Sequence, residues 1–150
     1  MAYSGGRESF VYNALGQRMK LTVSGVVTRY VYDGDPSASL GAGRVLEETD
    51  SSGNVLARYT TTNSSYYGPW LHLWRTGGVS RYPLYDAVGS VRRLVDDAGV
   101  KTDAYALTAF GKDRGNPQPT PNPNRIGGAL GYINGISGLQ QLGPASYLSA

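Results

Sequence analysis

The sequence has no cysteine, so no disulfide can staple it and no thiolate zinc site can form. It has one histidine, His72, which also excludes a zinc site built from several imidazoles. No apolar run approaches the ~20 residues of a helical membrane span. No Gly-x-Ser-x-Gly segment is present to carry a serine nucleophile on a strand-to-helix elbow. Lysine is scarce: Lys20, Lys101 and Lys112 account for three of the 14 basic residues. The arginines, from Arg7 to Arg125, are spread through the chain rather than gathered in one run. A net charge of +3 and a pI of about 9.2 therefore point to solvated strand faces, with arginine stems lying over aromatic rings, rather than to a nucleic-acid patch. No nucleic-acid partner is expected.

What the chain does have is glycine and tyrosine. There are 21 glycines in 150 residues, about double the usual ~7%. Twelve tyrosines stand against two phenylalanines and two tryptophans. Glycine supplies turns and tyrosine favours strands. Turn signals recur at Ala14-Leu15-Gly16, Ser24-Gly25, Asp33-Gly34-Asp35-Pro36, Asp50-Ser51-Ser52-Gly53-Asn54, Thr76-Gly77-Gly78, Ala87-Val88-Gly89 and Asp97-Ala98-Gly99. Between them lie short segments rich in Val, Tyr, Thr and Leu. The clearest, residues 26–32, puts Val26, Thr28, Tyr30 and Tyr32 on one face and Val27, Arg29 and Val31 on the other. No segment carries a helical stripe. The expected fold is all-β: a meander of hairpins forming a curved open sheet.

The segments repeat. Asp50 and Asp96, Gly53 and Gly99, and Tyr59 and Tyr105 are each 46 residues apart, and a looser copy runs from Gly16 to Tyr30. A fixed period over hairpin units signals a repeat architecture. Four of the eight prolines fall in residues 116–124; proline cannot donate to a sheet ladder, so a loop or linker is expected there. The expected organisation is a β-sheet region at 1–115, a proline-rich loop at 116–124 and a glycine-rich tail at 125–150.

Few residues suggest chemistry. His72 alternates with Leu71 and Leu73 and reads as a packed or exposed strand histidine. Asp33-Gly34-Asp35-Pro36-Ser37 begins like a calcium loop, but Ala38 and Arg44 stand where glycine and glutamate are needed, so a turn is favoured. Gly41-Ala42-Gly43 lacks the third glycine of a dinucleotide fingerprint, with Leu46 in its place. Tyr66, Tyr67, Trp70 and Trp74 form an aromatic cluster able to hold a sugar or a protein surface, or simply to pack across strands. No metal, cofactor or catalytic residue is expected.

Two segments, Tyr12-Asn13-Ala14-Leu15-Gly16-Gln17-Arg18 and Tyr85-Asp86-Ala87-Val88-Gly89-Ser90-Val91, resemble the Tyr-Asp-x-x-Gly units of YD-repeat proteins. Val45 to Tyr59 is similar to their recurring Thr-Asp-x-x-Gly-Asn-Val segment. Ala109-Phe110-Gly111, Gly127 to Tyr132 and Ser137 to Gly143 resemble the RHS repeat-associated core. The likeness covers most of residues 10–147. It marks Tyr12, Gly16, Tyr32, Asp33, Asp50, Gly53, Tyr59, Tyr85, Asp86, Gly89, Asp97, Gly99, Tyr105, Gly111, Gly138 and Leu139 as repeat-motif positions. The resemblance implies a β-ribbon curling into a hollow shell, which in bacterial members encloses a C-terminal toxin, and a bacterial extracellular or cell-surface location. Members of the toxin type release their cargo by aspartyl self-cleavage. By this alignment Asn134 and Leu148 stand where the acids belong, so that chemistry is not carried over. Residues 1–8 lack the apolar core of a cleavable signal, which leaves export by another route or as part of a longer chain.

These readings lead to one functional expectation: a non-enzymatic scaffold that associates with itself through unpaired sheet edges into a shell, tube or filament. The alternatives are a module binding surface glycans through the aromatic cluster, or a truncated remnant of a toxin carrier.

Overall fold

The computed structural model of the chain describes residues 8–33, 45–61, 70–108, 114–115, 118–125, 127–128, 133–134, 139–142 and 146–149. Among them there is no α-helix, and the all-β expectation holds. Nine strands form one open sheet in sequence order: β1 (Glu8–Tyr12), β2 (Arg18–Val23), β3 (Val26–Tyr32), β4 (Val45–Thr49), β5 (Val55–Thr61), β6 (Trp70–Arg75), β7 (Val79–Tyr85), β8 (Val91–Val95) and β9 (Lys101–Ala104). Each pairs antiparallel with the next. A second sheet holds β10 (Ile133–Asn134), β11 (Leu139–Leu142) and β12 (Ser146–Ser149).

Among the described residues one five-residue corner is used four times. It begins at Asn13, Asp50, Asp86 and Asp96. In each, the side-chain Oδ1 accepts the backbone N–H two and four residues on, at 2.8–3.1 Å. The first residue's own N–H donates to the carbonyl of the fifth at 2.9–3.0 Å. The fourth residue is always glycine (Gly16, Gly53, Gly89, Gly99), at φ between +77° and +89°, a conformation a Cβ makes costly. A register shift flanks each corner, at Val11/Tyr12, Glu48/Thr49, Leu84/Tyr85 and Leu94/Val95. This geometry moves one sequence assignment. The acid must stand three residues before Gly99, so the motif position is Asp96, not Asp97; Asp97 instead accepts the Tyr82 hydroxyl at 2.9 Å.

The corners pin the register, so one face is buried along the central strands. Tyr59, Leu73 and Arg81 are partners across β5–β7, and Leu94 faces Asp103 across β8–β9. Ala57, Tyr59, Trp70, Leu73, Val91, Leu94 and Tyr105 form the buried core, with Val45, Tyr85 and Leu107 packed against it. Full burial of Leu73, Val91 and Leu94 contributes roughly 1.5–3 kcal/mol each.

A single sheet cannot cover its own apolar face. Here residues 118–125 help to close it. The proline-rich stretch carries no strand among its described residues, but it is no free linker. Thr120 donates from both N and Oγ1 to Asp103, each at 2.9 Å. Arg75 Nε donates to the Pro121 carbonyl at 2.8 Å. Val91 N donates to the Arg125 carbonyl at 2.7 Å. Gln118 Oε1 accepts Ala104 N on β9 at 3.0 Å. The segment is a strap pinned to β6, β8 and β9, and its Gln118 occupies a backbone donor at the edge strand.

Candidate functional site

Among the described residues, three places gather polar or aromatic groups. The first is a buried row on the inner face. Tyr30, Glu48, Ala57 and Arg75 are successive register partners across β3–β6. Glu48 is buried, accepts the Tyr59 hydroxyl at 2.6 Å and sits 3.5 Å from Arg75 Nη1. Burial first, then the nearby Glu48 carboxylate, pushes the Tyr30 phenol up to about 12. The same two causes hold Tyr59 well above the ordinary range. Tyr32 is pushed up to about 12 by burial, partly offset by Arg18, and its hydroxyl donates to the Arg18 carbonyl at 3.0 Å. Further along, Asp103 is 1% exposed and takes Thr102 Oγ1 at 2.6 Å besides the two Thr120 donors, with Arg81 Nε 3.7 Å away. These groups are paired and sealed; they hold strands and strap together.

The second place is an open cleft of about 360 Å³ lined by Asp86, Val88, Ser90, Arg92, Leu107, Thr108 and Gly127. Asp86 Oδ1 is committed to its corner, while Oδ2 faces Arg92 Nε at 4.0 Å. Ser90 Oγ accepts Gly127 N at 3.0 Å. Asn13 fills the same corner position with an uncharged amide, so the fold does not require a charge at Asp86. A carboxylate beside a guanidinium in an open cleft can accept a proton and hold a phosphate.

The third place is the outer face. Arg58 Nε pairs with Glu47 at 2.8 Å and lies over the Trp74 ring at 5.9 Å. The His72 and Tyr82 rings are 5.0 Å apart. Lys20 and Arg29 are direct register partners.

The expected aromatic cluster is divided. Trp70 is 3% exposed in the core, edge-on to Tyr59 at 6.1 Å, whereas Trp74 is the register partner of Arg58 on the other face. Tyr66 and Tyr67 lie outside the described residues, as do the calcium-like and glycine loops after Asp33, and the motif positions Gly111 and Gly138. Of the other motif positions, Gly16, Asp50, Gly53, Asp86, Gly89 and Gly99 are corner residues. Tyr12, Tyr32, Tyr59 and Tyr85 stand on strands, Asp33 and Tyr105 follow β3 and β9, and Leu139 opens β11. His72 is a half-buried strand residue, as expected. Sequence reading missed Glu48 and Asp103. Strand alternation puts one of Glu47 and Glu48 inward, which was the available signal for the first; nothing local marked Asp103, whose partner Thr120 is 17 residues away.

No family model matches the chain. Three curated proteins do. The chain is 34% identical over 118 residues to the "tRNA3(Ser)-specific nuclease WapA" of Bacillus spizizenii and to the "tRNA nuclease WapA" of Bacillus subtilis strain 168. It is 35% identical over 120 residues to the "tRNA(Glu)-specific nuclease WapA" of Bacillus subtilis subsp. natto. Each match covers 79% of this chain, and the chain spans about 4% of the length of these relatives.

These matches correct four expectations. The resemblance to YD-repeat proteins with a repeat-associated core gives way to relatives named as tRNA nucleases, with no family model in support. The non-enzymatic, self-associating shell or filament is contradicted by the names of these relatives, which specify an enzymatic activity. The expectation that no enzyme is involved, and with it the expectation of self-assembly, is overturned by the same names, which specify tRNA nuclease activity in those relatives. The structure supplies a physical reason in part. Self-association through unpaired sheet edges is expected from the sequence, yet at the β9 edge Gln118 occupies the Ala104 donor. The glycan-binding alternative rested on Trp70 and Trp74 acting together, and they lie on opposite faces.

Proposed function

We propose that this chain takes part in tRNA cleavage, as a β-sheet segment of a nuclease of the kind its relatives are named for. The observation that carries the reading is the 34–35% identity over most of the chain to three proteins whose names specify tRNA nuclease activity. Among the described residues, the arrangement suited to a phosphodiester is the Asp86–Arg92 cleft. Asp86 Oδ2 would accept the proton of a ribose 2′-hydroxyl as its oxygen bonds to the adjacent phosphorus and the P–O5′ bond breaks, giving a 2′,3′-cyclic phosphate and a 5′-hydroxyl that takes its proton from water, while Arg92 would hold the phosphate as charge develops.

The test is incubation of the chain with unfractionated tRNA, read on denaturing gels with sequencing of the new ends. Discrete ends confined to a few tRNAs are expected. Asp86→Asn should abolish them with the fold unchanged, because Asn13 closes the same corner. Undamaged tRNA, or cleavage that persists at full rate in Asp86→Asn, would overturn the assignment of this cleft.

A further inference from the structure

We propose that the outer face of the nine-stranded sheet is an RNA-binding surface; this rests on the tRNA reading above. It departs from the expectation, drawn from arginines dispersed along the chain, that no nucleic acid is bound. Dispersed in sequence is not dispersed in space. Register places Lys20 opposite Arg29, Val31 opposite Glu47, Glu47 opposite Arg58, and Arg58 opposite Trp74. Strand alternation adds His72, Tyr82 and Leu84 to that face, and Leu84 is the partner of Arg93. Val95 is the partner of Lys101. Among the described residues, five cations, Lys20, Arg29, Arg58, Arg93 and Lys101, thus share one face with two carboxylates, Glu47 and Asp97. Both carboxylates are occupied, Glu47 by Arg58 and Asp97 by the Tyr82 hydroxyl.

The Lys20–Arg29 step is the strongest sign. Like charges directly opposed across strands are destabilising. Their other register partners are Val11 and Thr49, and no carboxylate among the described residues pairs with either. A bound phosphate between them relieves that repulsion.

The aromatics choose RNA over other polyanions. Trp74 lies beside Arg58, and the His72–Tyr82 pair, 5.0 Å apart, stands between the Lys20–Arg29 step and Arg93. Rings interleaved with cations stack unpaired bases while the cations track the backbone. From β2 to β8 are six interstrand steps, about 29 Å at ~4.8 Å each. Val31, Tyr82 and Leu84 are 46%, 37% and 47% exposed, so the platform is open along that length.

The test is fluorescence anisotropy of labelled unfractionated tRNA with the whole chain. Four phosphate contacts, from Lys20, Arg29, Arg93 and Lys101 (Arg58 being paired with Glu47), at a salt slope of ~0.7 each predict an affinity loss of about 50-fold between 50 and 200 mM salt. The double variant Lys20→Ala/Arg29→Ala is expected to reduce that slope by about 1.4. Trp74→Ala should weaken binding of tRNA and leave binding of inorganic polyphosphate unchanged; Trp74→Phe, which keeps a ring, should restore tRNA affinity. Circular dichroism of each variant confirms the fold. Absence of binding at 50 mM salt, or a double variant that binds like the parent, overturns the proposal. Polyphosphate binding as tight as tRNA, with no effect of Trp74→Ala, also overturns it, leaving a surface that reads charge only. The same tubes are run on denaturing gels. Binding that depends on these residues while tRNA stays intact retains this surface and rejects the cleavage reading. Cleavage indifferent to them does the reverse.

Discussion

Replacing Asp103 by alanine tests whether the strap is held by the buried carboxylate. The side chain is fully buried and takes three donors: Thr120 N and Oγ1 at 2.9 Å each, and Thr102 Oγ1 at 2.6 Å. Removing it strands those donors and takes the nearest carboxylate from Arg81, whose side chain is 19% exposed. Breaking a buried pair at one partner costs roughly 3–5 kcal/mol. Arg81 lies 3.7 Å away and keeps some water, so the low end, about 3 kcal/mol, is expected. For a chain of this length that lowers Tm by roughly 6–12 °C. Urea unfolding followed by tryptophan fluorescence reports it, since Trp70 lies in the core beside Gly128. Asp103→Asn keeps an acceptor for Thr120 N and is expected to cost about half as much. Thr120→Val removes the hydroxyl alone, and a double-mutant cycle with Asp103→Ala is expected to show a coupling of about 1 kcal/mol or more. A loss under about 0.5 kcal/mol for Asp103→Ala, or strict additivity in the cycle, would refute the claim that this contact fastens the strap.

Three other outcomes follow from the geometry. Gly53→Ala and Gly99→Ala are each expected to cost about 1–2 kcal/mol by thermal melting, through backbone conformation alone, since a Cβ at either site meets nothing within 4 Å. Alkaline titration is expected to unfold the chain. Tyr30 and Tyr32 hold their protons to about 12, so the stability they contribute is complete below pH 10 and lost as pH rises through 12; burial holds the Tyr59 and Tyr85 phenols up as well, so absorbance near 295 nm should show at least four phenols ionising only with loss of the β-sheet circular dichroism signal. The Asp50 carboxyl is held below its usual 3.8, first by the Asn54 side chain and then by the Asn54 N–H. Asn54→Ala is therefore expected to raise it, as followed by carbonyl NMR; an unchanged midpoint would refute the assignment.

The fold was legible because its signals are local. Each corner needs an acceptor, two variable residues and a glycine, all within five positions, and alternation then fixes the buried face. The off-by-one at Asp97 shows the limit: with two acids adjacent, only the distance to Gly99 separates the corner residue from its neighbour. The aromatic cluster was misread for a related reason. Trp70 and Trp74 are four apart, which strand alternation puts on one face, but a register shift at Thr60/Thr61 lies between their pairings and turns them apart. The strap contacts were not legible at all. Asp103 to Thr120, Arg75 to Pro121 and Ser90 to Gly127 join residues 17, 46 and 37 positions apart, and no periodicity reports such pairs. The tie to tRNA nucleases came from likeness, over 118–120 residues, to about 4% of the length of proteins so named, not from a catalytic motif within the chain.

The strap also sets the order in which the molecule can be made. Every strand of the nine-stranded sheet bonds only to its neighbours in sequence, so hairpins can close one after another, each in about 1–10 µs. The strap cannot join until it exists. Arg75 waits 46 residues for Pro121, which at a synthesis rate of ~5–20 residues per second is roughly 2–9 s. For that interval Trp70, against which Gly128 later packs, lacks that cover. The exposed interval is therefore set by the speed of the ribosome, and slowing translation between residues 75 and 121 lengthens the time during which this sheet can stick to something else.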